Sequence, residues 1–137
     1  MADDGVEQAV GIVLAPHFSK MSIGSYIARA KQEAEQYKLK MSYVKSYHLH
    51  PKLVQAWSER VEQGLNKFAK VDRDHVRVMF SAHSLPAKIL EMEDPYPEQM
   101  LESCRAISAE TGVNNWQFVW QSAGQTATPW LGPDILD

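Results

Sequence analysis

Four short apolar runs alternate with helix-length amphipathic stretches along this chain, and that alternation is the tightest constraint on its fold. The runs are Ala9–Ala15, Met41–Val44, Val76–Phe80 and Asn115–Trp120. Ala9–Ala15 is so continuously apolar that it reads as a central strand, and Val76–Phe80 as a strand buried on both faces. After the first run, Tyr26, Ile27, Ala30 and Ala34 recur on one side of a helix, with Lys31, Glu33 and Glu35 on the other and Ser22 as its expected cap. After the second, Pro51 opens a helix whose Leu53, Trp57, Val61, Leu65 and Phe68 form one apolar stripe, read as core. After the third, Ala87–Glu93 predicts a short helix and Asp94–Pro97 a turn. Pro97 then opens a helix that carries Met100, Leu101, Cys104 and Ile107 on one face and ends at Gly112. Strand–helix alternation at this spacing predicts an α/β architecture with parallel strands. Beyond Trp120 the chain reads as loop through Pro133. A unit that begins almost on a buried strand and ends without a covering helix is expected to be incomplete at both ends.

Composition narrows the function classes. At 137 residues there is room for one sizeable core. A net charge of −3 without a basic cluster argues against a nucleic-acid partner. The longest apolar run, Val10–Pro16, is too short to span a bilayer, and the acidic start Met1–Gly5 is unlike a signal peptide. One cysteine, Cys104, excludes an internal disulfide and an all-cysteine metal site, and a reducing, cytoplasmic setting is expected.

The chemistry-bearing residues gather around Val76–Pro86. In an open α/β sheet, ligands bind outside the carboxyl ends of the strands, which is where Ser81-Ala82-His83-Ser84-Leu85-Pro86 falls. A histidine there either satisfies its ring on a backbone carbonyl or serves as metal ligand or proton acceptor, and His83 is the leading candidate. Neither Ser81 nor Ser84 lies in a nucleophile elbow, which argues against a hydrolase triad. His17 lies at another strand's carboxyl end, where it is a candidate to share a cleft with His83. His48 and His50 form an H-x-H pair without an evident carboxylate partner and read as a solvated loop. Glu91, Glu93 and Asp94 read as a solvated acidic face, and Cys104 as a buried structural thiol. Trp130, between Pro129 and Leu131-Gly132-Pro133, needs an apolar surface to cover, which a flat aromatic ligand would supply.

Three segments together resemble one family. Ser81–Pro86, then Asp94-Pro95-Tyr96-Pro97, then Trp120-Gln121-Ser122 with Pro129–Pro133 are similar to the ferrochelatases, and Leu14-Ala15-Pro16-His17-Phe18-Ser19 resembles their coproporphyrin branch in monoderm bacteria. The likeness extends over the whole chain. It implies a Rossmann-like class II chelatase fold of two lobes with a porphyrin cleft between them. Residues 1–46 would end the first lobe and residues 47–137 begin the second. It further implies insertion of ferrous iron into coproporphyrin III or protoporphyrin IX in haem synthesis by a monomeric parent enzyme. His83 would be the catalytic and iron-binding histidine, and His17, Ser122 and Trp130 porphyrin contacts. Iron and porphyrin would be substrates, with no resident cofactor. The resemblance places the acidic partner of the histidine outside this chain, so the chain alone is expected to be inactive. The competing reading is a non-catalytic α/β module that binds a porphyrin or metal. A flavodoxin-type domain is disfavoured because no glycine-rich phosphate loop is present.

Overall fold

The computed structural model describes residues 5–137. The acidic start, read above as unlike a signal peptide, therefore lies outside the described residues apart from Gly5. The element order is β1 (Gln8–Ile12), α1 (Ser25–Gln36), β2 (Lys40–Val44), α2 (Pro51–Leu65), β3 (Val78–His83), α3 (Tyr96–Thr111) and β4 (Trp116–Gln121). β1 pairs with β2 and β3 with β4, both in parallel, giving two small sheets flanked by helices. The expected α/β class with parallel strands is what is observed.

Local signals explain most boundaries. Pro51 sits in the first turn of α2, where a missing N–H costs nothing, and the preceding His50 ring accepts from the Lys52 N–H. Gly112 closes α3 in the left-handed region at φ 70°, the conformation glycine adopts without steric cost. The start of α1 differs from expectation. Ser19, not Ser22, is the cap, and it precedes a π-helical turn over Lys20–Gly24 that leads into the helix. Its hydroxyl accepts from the Met21 N–H while donating to Asp94, a tertiary partner no local pattern reveals.

The strands are less buried than their apolar runs imply. β1 stops at Ile12, and on its outward face Val10 is 72% and Leu14, just beyond it, 88% exposed. β3 alternates half-buried and exposed residues instead of being covered on both sides. The physical reason is that helices pack on one face of each pair, so period-two alternation decides exposure. The α2 stripe is also displaced from the expected line. Val54 and Ser58 are its buried residues, whereas Trp57 is 52% exposed and Phe68 lies beyond the helix end. Small side chains line the facing helix too, with Ser103, Cys104, Ile107 and Ser108 buried on α3. In α1 the packed residues are Ile27 and Ala34, while Tyr26 faces outward.

The densest packing lies beside the second sheet. Ile89, Trp120 and Leu131 form a buried cluster, with Met21, Ala82, Tyr96 and Phe118 against it. Ile89 belongs to a 3-10 turn over Ala87–Ile89, shorter than the helix expected from Ala87–Glu93, and its side chain is fully enclosed. Asp94 is no solvated acid. It is 7% exposed and accepts from the Ser19 hydroxyl at 3.0 Å, the Lys20 N–H at 2.7 Å and the Tyr96 N–H at 3.0 Å. It thereby ties the segment after β1 to the start of α3.

Candidate active site at the carboxyl edge of the second sheet

His83 is the last residue of β3 and pairs in register with Gln121, the last of β4. Parallel pairing carries the strand into the histidine itself, so His83 is held by the sheet and not by the loop after it. Alternation along β3 puts its side chain on the exposed face with Met79 and Ser81. Its carbonyl accepts from the Tyr96 hydroxyl at 3.1 Å. Burial, helped by the Asp94 charge, raises the Tyr96 pKa, which keeps the phenol protonated as this bond requires.

Immediately after His83 the chain turns inward. Ser84 is fully buried, its N–H bonds the Gln121 carbonyl at 2.8 Å, and its hydroxyl donates to the Leu131 carbonyl at 2.9 Å. That proton is committed, which agrees with the reading that Ser84 is no nucleophile. Leu131 N–H bonds Leu85 O and Ala87 N–H bonds Pro129 O, both at 2.9 Å, with an antiparallel bridge between Pro86 and Trp130. The stretch expected to be a plain loop is therefore a strap laid along the turn after His83. Past the strap, Trp120 N–H bonds Pro133 O and Ile135 N–H bonds Trp120 O, which seals the outer edge of β4.

Trp130 is half-buried on this strap, and its indole N–H donates to Thr126 Oγ1 at 2.8 Å. The ring lies against Gly124 so closely that a Cβ there would sit 2.4 Å from Trp130 Cζ2. Gly124→Ala is therefore expected to push the indole off Thr126 and to destabilise the fold by about 1–3 kcal/mol. A moved indole N–H resonance together with a lowered unfolding midpoint checks this. Ser122, exposed just after β4, holds a left-handed backbone at φ 59°, strain that turns the chain toward the strap. The structure thus brings His83, Ser122 and Trp130 to one sheet edge.

His17 is placed differently. Its Nε2 lies 2.9 Å from Ser103 Oγ on α3, and its ring centroid is 5.6 Å from that of His48. Because Ser103 Oγ donates to the His48 carbonyl at 3.2 Å, its oxygen is free to accept, and His17 carries its proton on Nε2. Burial, with a smaller contribution from His48, lowers the His17 pKa from 6.5 to about 4. The unfolded chain therefore binds a proton at His17 that the folded chain refuses between those values. Stability is expected to fall as pH drops from about 6.5 toward 4, and His17→Gln to flatten that part of the profile, measured as urea midpoints against pH.

His48 corrects the solvated reading of the H-x-H pair. Its Nε2 lies 2.7 Å from Glu102 Oε2, a carboxylate 54 residues away in sequence that only the fold supplies. His50, as expected, is exposed. Cys104 is buried as expected, and burial raises its thiol pKa to about 11, leaving it unreactive. Among the described residues, no three His, Cys, Asp or Glu side chains converge to hold a metal. The residues missed by sequence reasoning are Asp94, Tyr96, Gln99 and Glu102. Only Asp94 had a local signal, since an aspartate just ahead of a proline-led helix start is placed to accept from the first free N–H groups, as it does from Tyr96.

A family model described as Ferrochelatase matches residues 1–137. The chain is 46% identical over 138 residues to the coproporphyrin III ferrochelatase of Anoxybacillus flavithermus, covering all of this chain and 44% of that relative. It is 46% identical to that of Bacillus subtilis, of which it covers 44%, and 38% identical to that of Staphylococcus epidermidis, of which it covers 45%. The chain spans under half the length of these curated relatives. With the match running from the first residue to the last, this chain belongs to the ferrochelatase family.

Proposed function

We propose that this chain is the central part of an enzyme that inserts ferrous iron into coproporphyrin III. The observation that carries the reading is the His83 edge: an exposed imidazole at the end of a strand, backed by a buried turn that is bonded to the strap bearing Trp130. The relatives' shared name, coproporphyrin III ferrochelatase, supports this substrate over protoporphyrin IX.

Metal insertion has two demands: iron must shed water above the ring, and two pyrrole protons must leave. A neutral imidazole suits both, as a ligand for ferrous iron or as a base near neutral pH. His83 takes one of these roles, Trp130 offers an aromatic face to the macrocycle, and Ser122 lines the same edge. His17, set apart from that edge beside Ser103 on α3, is assigned to the porphyrin by the family resemblance alone. Residues 1–46 and 47–137 belong to successive lobes, and the acidic partner of His83 lies outside this chain. The parent acts as a cytoplasmic monomer without nucleic acid or a resident cofactor, and iron and porphyrin are its substrates. No helix of the described residues is long and apolar enough to cross a membrane.

The 137-residue chain is expected to shift the Soret band of coproporphyrin III on binding, without inserting iron. His83→Ala or Trp130→Ala is expected to weaken that binding about tenfold, the worth of one good aromatic or polar contact. A Soret band that stays in place at saturating chain, or variants that bind as well as the parent, would overturn the assignment.

A further inference from the structure

The segment Ser46–His50 joins the two sheets, and its polar contacts contain a conflict over one hydrogen. Ser46 Oγ lies 2.7 Å from His48 Nδ1, 2.8 Å from the Pro16 carbonyl and 3.0 Å from Gln99 Oε1. Pro16 O and Gln99 Oε1 can only accept, and a serine hydroxyl has one proton to give. Gln99 Oε1 and Pro16 O each already accept one backbone N–H, from Phe18 at 2.7 Å and Tyr47 at 3.0 Å. Of the two, Pro16 O is the nearer to Ser46 Oγ, so the closest contest is between Pro16 and His48.

The protonation state of His48 decides it. Its Nε2 faces the Glu102 carboxylate at 2.7 Å and must carry a hydrogen in either state. In the neutral ring, Nδ1 is then a bare acceptor, and it takes the Ser46 hydrogen. In the protonated ring, Nδ1–H donates to Ser46 Oγ, which frees the hydroxyl hydrogen for Pro16 O. The two states make different bonds across the joint while keeping the same heavy-atom positions.

We propose that His48 is a proton-operated switch on the joint between the two sheets, in which protonation ties Ser46 to Pro16 and deprotonation releases that tie. Pro16 adjoins His17, so the switch acts on the segment between β1 and α1, which bonds α3 through His17 and the Phe18 N–H. The Pro16 carbonyl also accepts the Tyr47 N–H at 3.0 Å, which places a reporter on the tie itself.

The surrounding charges leave His48 as the group that responds. From α3 it faces Glu102, while Arg105 and Glu98 on that helix pair with each other at 2.6 Å. From the segment after β1 it faces His17, which burial keeps neutral down to about pH 4. At the start of α2, the His50 ring is used by the Lys52 N–H, and the Lys52 ammonium reaches Gln55. The proposal does not depend on porphyrin chemistry, so it stands or falls apart from the proposed function.

The test is a pH series on the intact chain, reading long-range proton–nitrogen correlations of the imidazoles together with exchange of the Tyr47 amide. Neutral His48 is expected as the Nε2–H tautomer. The Tyr47 protection factor, corrected for intrinsic exchange, is expected to fall about fivefold as pH rises through the His48 midpoint, the worth of one neutral hydrogen bond. The Tyr47 transition is expected to follow the His48 midpoint wherever Glu102→Gln places it, and Ser46→Ala to leave Tyr47 protection independent of His48. An Nδ1–H tautomer, a flat Tyr47 profile, or a Tyr47 transition that ignores the His48 midpoint would each overturn the switch. The wild-type measurements alone decide this if a variant fails to fold.

Discussion

Asp94→Ala is expected to cost the fold about 3–5 kcal/mol, from hydrogen bonds to a charged acceptor that contribute about 1.5–3 kcal/mol each. The alanine leaves the Ser19 hydroxyl and the Lys20 and Tyr96 N–H groups without their acceptor. Against a total stability of about 5–15 kcal/mol for an ordinary domain, that is a large share. The urea midpoint should fall with an unchanged slope, as for a loss of stability that leaves the exposed area alone. Asp94→Asn should be intermediate. An amide has one acceptor oxygen, so it cannot serve donors on both sides at once. An alanine variant within about 1 kcal/mol of wild type would mean that water replaces the carboxylate in that pocket.

The second large effect concerns His83. In a full-length protein with the proposed activity, His83→Ala is expected to lower kcat for iron insertion by 10²- to 10⁴-fold, the usual range for a positioned acid–base group. KM for the porphyrin should change far less than kcat, because Ser122 and Trp130 remain at the same edge. Stability should hardly move, since the imidazole is exposed and, among the described residues, the only side-chain bond to this residue, from Tyr96, goes to its backbone carbonyl. A rise in KM with kcat unchanged would instead limit His83 to holding the porphyrin.

The sequence was most informative where chemistry is local. The π-helical turn and the 3-10 turns excepted, elements and their order followed from apolar period, proline at helix starts and Gly112 at a helix end. Burial was harder to read. An apolar run such as Val76–Phe80 looks the same whether one face or both are covered, and the register between strands decides which residues point where. The α2 stripe failed for a related reason. Val54 and Ser58, not the larger Trp57, face α3, because closely packed helices favour small residues at their contact.

The candidate site divides along the same line. His83 and Trp130 were legible because unusual residues stood at a strand end and between prolines. Their mutual placement depends on the bonds from Ser84, Leu85 and Ala87 to the strap, which no spacing encodes. Asp94 was legible only as an acid in a turn, since its burial comes from a segment more than seventy residues earlier. His48 was misread because its carboxylate partner lies on another element.

The strap also has a kinetic meaning. Its contacts with the turn after His83 close a loop that contains the whole of α3 and β4, and β3 pairs with β4 across the same interval. Contacts of such sequence separation are entropically expensive and form slowly. The edge bearing His83 and Trp130 should therefore be among the last parts of the chain to assemble. Partly folded forms would present helices and isolated strands, but not the edge proposed to hold the porphyrin. Ligand binding would then report completed folding more faithfully than helix content does.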